Sequence, residues 1–369
     1  MAKSKPKSSG TGVSAAEIQR RIERLDREIV QLANERARLA IQTAQSLKDR
    51  SLPLFDPVRE QELLSAAVQT GKGPLPPETV RAVIRELIGG CRSLVKPTRV
   101  AYLGPPYSYS HQAAIEFFGT SVEFAPVGTI AAVFAELNRA HADYGLVPLE
   151  NSTDGRVADT LETFARLPVR ICGEVPLRIH HNLLAKCPRH EIGEVFSKPQ
   201  ALSQCRDWLA KQLPGVRLVE ITSTAAAAQV AADKPGAAAV ASMQAAMHYG
   251  LNVVAANIED KGNNVTRFAV IGGGESPRRT GRDKTALMFE LPHRPGALAD
   301  AMLVFKKGRL NLTWIESFPS PNTPNEYLFF VEFEGHQADA GPRRALEALR
   351  RRAVRLEVLG SYPRAATID

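Results

Sequence analysis

Arg99-Val100-Ala101-Tyr102-Leu103-Gly104-Pro105 opens the part of the chain whose reading decides the fold. A short apolar strand ends in Gly-Pro, and a hydroxyl-rich loop, Tyr107-Ser108-Tyr109-Ser110, leads into a helical pattern from His111 to Phe118. The same texture recurs downstream. Ile130 to Arg139 is helical in pattern, Ala237 to Ser242 is apolar and precedes a helix near Met243 to Tyr249, and Phe268 to Ile271 closes the unit. Strands alternating with helices predict an α/β domain over residues 98–273.

Working outward toward the N-terminus, residues from about Ser14 to Asp49 read as one long helix. Ile22, Leu25, Ile29, Leu32, position 36 and Leu39 fall at steps of three and four, a single apolar stripe. At about 1.5 Å per residue such a helix spans roughly 50 Å, too long for one small domain to bury. A homodimer or higher homo-oligomer is therefore expected. Pro53, Pro57 and Gly71-Lys72-Gly73-Pro74 punctuate two further helices, roughly 57–70 and 77–95, which makes residues 14–97 an all-α domain. Residues 1–13 carry lysines and serines but no apolar core, so they read as a disordered arm and not as a secretory signal.

In the other direction, Gly272-Gly273-Gly274 and the charged stretch to Asp283 form a linker over 274–283. From Lys284 a strand, a helix start at Pro295-Gly296, two strands, a helix and a last strand fit an α+β βαββαβ unit over 284–369. Trp314 is read as core packing.

A chain of 369 residues with 44% hydrophobic and 23% charged residues has the composition of a soluble multidomain protein. No apolar run approaches the roughly 20 residues of a membrane helix. The four cysteines, Cys91, Cys172, Cys187 and Cys205, form no CxxC pair, which argues against disulfides and zinc and points to a reducing cytoplasm. The net charge of +8 raises nucleic acid as a partner. Its densest cluster, however, Arg343, Arg344, Arg350, Arg351, Arg352 and Arg355, shares a helical pattern with Leu346 and Leu349 and reads as a solvated face. With no metal cluster, P-loop or dinucleotide fingerprint, no cofactor is expected.

Three fragments of the central domain carry candidate chemistry. Ser108 and Ser110 sit in a loop before a helix, where hydroxyls suit a carboxylate or phosphate; capping by Ser110 is the plainer alternative. Glu150, Asn151 and Ser152 follow a strand, where α/β sheets place ligands. Ser197 and Gln204, seven residues apart, face one cleft if their segment is helical throughout, although Pro199 is positioned to start that helix.

Together with Gly173-Glu174-Val175, Ile179-His180-His181 and Asn264-Val265-Thr266-Arg267-Phe268, these fragments occur in an order that resembles prephenate dehydratases. From about Ser14 onward the chain is similar to the chorismate mutase/prephenate dehydratase family. The resemblance implies two α/β lobes around a cleft, as in periplasmic binding proteins. It also implies loss of CO2 and a ring hydroxyl from prephenate to give phenylpyruvate, in phenylalanine biosynthesis. Thr266 then sits at the reacting hydroxyl, and Arg267 supports the motif or anchors a carboxylate. Asn151, Ser197 and Gln204 match positions tied to catalysis or binding; Ser108, Ser110, Ser152, His181, Asn264 and Phe268 are expected at the substrate. A threonine hydroxyl is a poor acid, so Glu150 is the expected proton source. Tyr107 stands where the family has glycine, which predicts a changed loop backbone unless its φ is negative.

The helical domain resembles chorismate mutases, which bind a dianion with cationic groups. Arg36, set in the apolar stripe, Arg59, Glu60 and Asp56 match family positions. Gln19, Leu47 and Val95 do not, which implies weak or lost mutase activity. His293-Arg294-Pro295-Gly296-Ala297-Leu298 and Ile315-Glu316-Ser317-Phe318-Pro319 resemble the two effector signatures of ACT domains. This implies feedback by phenylalanine through Gly296, Ala297, Leu298, Glu316 and Ser317. A non-catalytic sensor of amino acids or small anions is the alternative from another class.

Overall fold

The computed structural model describes residues 14–49, 56–153, 155–167, 169–272, 279–320 and 326–368. The expected arm, 1–13, and the glycine-rich part of the expected linker, 273–278, lie outside them. The helical domain consists of α1 (Ala15–Asp49), α2 (Pro57–Thr70) and α3 (Pro77–Ser93). Ser14 and Glu17 cap α1 reciprocally: Glu17 N–H donates to Ser14 Oγ at 3.2 Å, and Ser14 N–H donates to Glu17 Oε2 at 2.9 Å. The apolar stripe of α1 is uncovered: Ile22, Leu25, Ile29, Leu32 and Leu39 are 45–64% exposed.

The central domain has two lobes. In the first, β1 (Arg99–Leu103), β2 (Glu123–Val127), β3 (Tyr144–Asn151), β4 (Gly155–Arg156), β5 (Ile171–Arg178) and β11 (Val265–Gly272) form a sheet ordered β2-β1-β3-β11-β5, with β4 beside β3. Helices α4 (Tyr109–Phe118), α5 (Ile130–Asn138) and α6 (Ala158–Arg166) belong to this lobe. In the second, β6 (Asn182–Ala185), β7 (Glu194–Ser197), β8 (Arg217–Glu220), β9 (Ala237–Ala241) and β10 (Asn252–Ala255) form a sheet ordered β10-β6-β9-β7-β8. Four helices complete it: α7 (Pro199–Gln204), α8 (Arg206–Gln212), α9 (Thr224–Asp233) and α10 (Met243–Tyr249). The chain crosses between lobes twice, from β5 to β6 through residues 179–181 and from β10 to β11 through residues 256–264. The crossings are tied: Ile179 N–H donates to Asn264 O and Ile258 N–H to His181 O, each at 2.8 Å. This is the two-lobed, periplasmic-binding-protein-like architecture expected.

The C-terminal unit runs β12 (Asp283–Glu290), α11 (Ala297–Gly308), β13 (Leu312–Pro319), β14 (Tyr327–Glu334), α12 (Ala340–Arg350) and β15 (Arg355–Pro363). It forms an antiparallel sheet ordered β13-β14-β12-β15, a βαββαβ unit. Its sheet does not stand apart. Ala286, Met288, Trp314, Phe330 and Tyr362 share one core with Val147, Leu149, Ala269 and Ile271 of the first lobe. At Gly360 the strands come so close that a Cβ would lie 2.0 Å from Ile171 O. The helical domain is tied to the first lobe by Arg85–Glu116 at 2.9 Å, by Lys96–Asp143 and by Arg92, whose guanidinium donates to Phe118 O at 2.8 Å.

Candidate active site

The functional cluster forms where β3 and β11 pair at the hinge. Thr266 lies opposite Asn151 and Arg267 opposite Glu150, but Phe268 pairs with Pro148, so β3 inserts one extra residue, Leu149. This bulge reverses the alternation. Val147 and Leu149 point into the core shared with the C-terminal sheet, and without the bulge Asn151 would follow them. With it, Asn151 turns to the side of Thr266.

Asn151 Nδ2 donates to Thr266 Oγ1 at 2.7 Å and to Asn264 Oδ1 at 2.9 Å. Its Oδ1 accepts from the backbone N–H and the hydroxyl of Thr153, at 2.9 and 2.6 Å. Thr153 Oγ1 in turn accepts from Gln204 Nε2 at 2.8 Å, which carries the network into the second lobe. Gln204 Oε1 accepts from Asn264 Nδ2 at 2.9 Å and faces His181 Nε2 at 2.9 Å. These partners assign every amide and put a proton on His181 Nε2. On its other side His181 Nδ1 lies 3.1 Å from the Tyr109 hydroxyl. Burial lowers the His181 pKa, against the raising effect of the Gln204 hydrogen bond, so the ring is held neutral. Glu259 accepts from His181 N–H at 2.9 Å and sits 2.8 Å from His180 Nδ1, clasping the two crossings together.

Thr266 Oγ1 is thereby an acceptor toward Asn151, which leaves its own proton to be offered elsewhere. Donation from a polarised amide strengthens that hydroxyl as a donor. The site can hold and aim one hydroxyl proton at an oxygen bound between the lobes.

Several expected residues lie elsewhere. Glu150 and Arg267 share the face opposite Thr266, where Arg267 Nη2 lies 3.1 Å from Glu150 Oε2. Period-two alternation along β11 separates Thr266 from Arg267, so Glu150 is not positioned to protonate anything at Thr266 and Arg267 does not enter the cleft. Ser197 ends β7, fully buried, and donates to Val240 O at 2.6 Å; Pro199 starts the helix after it, so it does not share a face with Gln204. Phe268 is core, 2% exposed. Ser108, not Ser110, caps α4, accepting from His111 N–H at 3.4 Å, while Ser110 is buried inside that helix. Ser152 locks a turn, donating to Asn263 O at 3.1 Å and accepting from Val265 N–H at 2.9 Å.

Tyr107 keeps the left-handed backbone a glycine would take, with φ 64°. Its N–H donates to His111 Nδ1 at 3.0 Å, and its ring stacks on His248 of the second lobe with centroids 3.6 Å apart. A cavity of about 320 Å³ beside it, lined by Tyr107, His111, Ile115, Met247 and His248 among others, shares no residue with the amide–hydroxyl cluster. The cluster, which lies at the hinge and holds a hydroxyl fixed by an amide, is the candidate reaction site. Sequence reasoning misses Thr153 and Glu259 and takes Tyr109 only as part of the hydroxyl-rich loop; Thr153 directly follows Asn151-Ser152.

In the helical domain, Glu60 pairs with Arg92 at 2.7 Å, a partner not anticipated. Burial raises the Glu60 pKa, countered by Arg92 and then Arg36. Arg36 is half-buried and donates to Leu87 O at 3.4 Å. Asp56 is the N-cap of α2, its Oδ1 accepting from Val58 and Arg59 N–H. Arg59 and Gln19 are exposed, and the Leu47 side chain lies outside the described residues. In the C-terminal unit, Gly296 starts α11 with φ 80°, Ala297 is buried and Leu298 is 40% exposed. Glu316 lies 3.4 Å from Arg156, which also donates to Ser317 O at 2.7 Å. Among the described residues no group of His, Cys, Asp or Glu could hold a metal ion, and no helix is long and apolar enough to cross a membrane.

A hinge-borne hydroxyl–amide cluster between two α/β lobes, behind a helical domain and against a four-stranded sheet, defines an enzyme acting on a small molecule. Residues 100–276 match the prephenate dehydratase family model and residues 18–96 the chorismate mutase type II model. A bifunctional chorismate mutase/prephenate dehydratase from Aquifex aeolicus is 43% identical over 95% of this chain and 98% of its own. The prephenate dehydratase of Arthrobacter aurescens, solved in complex with L-Phe, is 32% identical with a TM-score of 0.68, covering 72% of this chain and 90% of that one. A quorum-quenching acylase, GqqA, is 28% identical with a TM-score of 0.66 over 72% and 98%. This chain belongs to the bifunctional chorismate mutase/prephenate dehydratase family.

Proposed function

We propose that the chain converts prephenate to phenylpyruvate at the Thr266 cluster, in the synthesis of phenylalanine. Breaking the bond to the ring carboxylate releases CO2. The electron pair aromatises the ring and expels the C4 oxygen, which takes up one proton and leaves as water. The observation that carries this reading is the Asn151–Thr266 hydrogen bond, which pins a hydroxyl as a donor at the hinge. With Glu150 on the other face, the proton reaches the leaving oxygen through Thr266 from solvent. An acylase would instead need a base on its nucleophile, whereas Thr266 Oγ1 receives a hydrogen bond from an amide. Thr266→Ala is expected to lower kcat about 100-fold or more while Thr266→Ser retains much of it. Phenylpyruvate formation by Thr266→Ala within about threefold of the parent would defeat the assignment.

The helical domain is the mutase half of the family, and we assign it weak turnover of chorismate to prephenate, because Gln19, Leu47 and Val95 replace binding groups. Rapid disappearance of chorismate with the intact chain would refute this. The uncovered stripe of α1 is proposed to be covered by a second copy. The C-terminal unit is proposed to be an ACT domain binding phenylalanine at the α11 start, supported by Gly296 and by the L-Phe complex of the relative. A cytoplasmic location is proposed as well, supported by the four free thiols.

A further inference from the structure

Back to back with Thr266, Arg267 enters a buried ionic cluster shared by two domains. Its Nη1 lies 2.5 and 2.6 Å from the two oxygens of Glu332 and 3.5 Å from Glu174. Its guanidinium carbon sits 5.2 Å from the centre of the Trp314 ring. Lys284 joins at 2.9 Å from Glu174, and the Tyr362 hydroxyl donates to Glu332 at 2.6 Å. Burial disfavours the Arg267 charge, but Glu332, Tyr362 and Glu174 together more than restore it. Arg267, Glu150 and Glu174 belong to the central domain; Lys284, Trp314, Glu332 and Tyr362 belong to the C-terminal unit. The Glu332 and Glu174 side chains are 1% and 3% exposed, so neither charge has water to fall back on. A second tie runs parallel, from Arg156 on β4 to Glu316 and Ser317 on β13. Both ties therefore start beside the strand ends that carry Asn151 and Thr266 and end on β13 and β14.

We propose that Arg267 is a positioning residue: its link to Glu332 clamps β11 against the C-terminal sheet, so that displacement of that sheet changes the aim of the Thr266 hydroxyl. No hydrogen bond joins Arg267 to the cleft cluster, and its effect passes through the one peptide unit it shares with Thr266. With Nε and Nη2 on Glu150 and Nη1 on Glu332, the planar guanidinium is held from two sides, which fixes direction as well as distance where a single point charge does not. The inference rests on the dehydratase reading and on phenylalanine acting through the C-terminal unit.

The test uses the full chain as Arg267→Lys, Glu332→Gln and Tyr362→Phe, with prephenate turnover, phenylalanine inhibition and amide hydrogen exchange over residues 265–272. Arg267→Lys is expected to lower kcat about tenfold with KM for prephenate moving less than about twofold. Glu332→Gln is expected to lower kcat several-fold in the same way, Tyr362→Phe to keep kcat within about threefold, and both to raise the half-inhibiting phenylalanine concentration about tenfold. All three are expected to speed exchange along β11. Wild-type inhibition curves and unchanged exchange in the two conservative variants overturn the proposal, also where Arg267→Lys fails to fold. A parent protein that makes no phenylpyruvate sinks the dehydratase reading instead, and one that ignores phenylalanine sinks the effector reading; the exchange measurement still decides the clamp.

Discussion

Thr266 and Arg267 show how far one residue of register can carry two functions apart. The first faces the amides of Asn151 and, through them, Gln204; the second faces Glu332 in another domain. The motif was visible in the sequence, but the split was not, because Glu332 lies 65 positions downstream and a pairing across that distance leaves no local signal. The same geometry separates Glu150 from the chemistry. Glu150→Gln is expected to retain most of kcat, unlike Thr266→Ala, when both are assayed with prephenate; a loss as deep as that of Thr266→Ala would put the carboxylate back in the mechanism. Phe268, completing the motif, is a packing residue. Phe268→Ala is expected to cost about 3–5 kcal/mol in urea unfolding.

At the scale of elements, the regular pieces were legible. Arg99–Leu103 forms the strand its apolar run foretold, and the first helix runs to Asp49 as its stripe required. Pro57 and Pro77 mark helix starts as expected. What escaped was irregularity. The Leu149 bulge has no sequence signature, yet it alone turns Asn151 toward Thr266. The central domain's closing strand begins at Val265, three residues earlier than its apolar stretch implied, because polar Thr266 and Arg267 each find partners on their own face. Besides the backbone ties, one buried carboxylate fastens the hinge: Glu259, 3% exposed, holds both histidines of the first crossing. Glu259→Ala is expected to raise KM for prephenate more than it lowers kcat, since it loosens the lobes without touching Thr266; steady-state kinetics separate the two.

Across the whole molecule, the helical domain and the C-terminal unit are tied to the central domain through close backbone contacts and buried charge, and pH probes the stability of the central domain itself. Burial lowers the pKa of His111 and His181, so the folded protein resists protonating them. The unfolded chain takes up those protons first, near the ordinary histidine value of about 6.5, so stability is complete above that pH and falls as pH drops below it. Unfolding in urea at several pH values between about 5 and 8 is expected to show this slope, and a flat profile would contradict it. The long first helix adds a dependence of another kind. Its bare row of Ile22, Leu25, Ile29, Leu32 and Leu39 gains shelter only from a neighbour, so its folding is tied to mass action. The melting temperature of the helical part should then climb with protein concentration while that of the lobes stays put, and dilution alone would become a way to unfold one end of the enzyme.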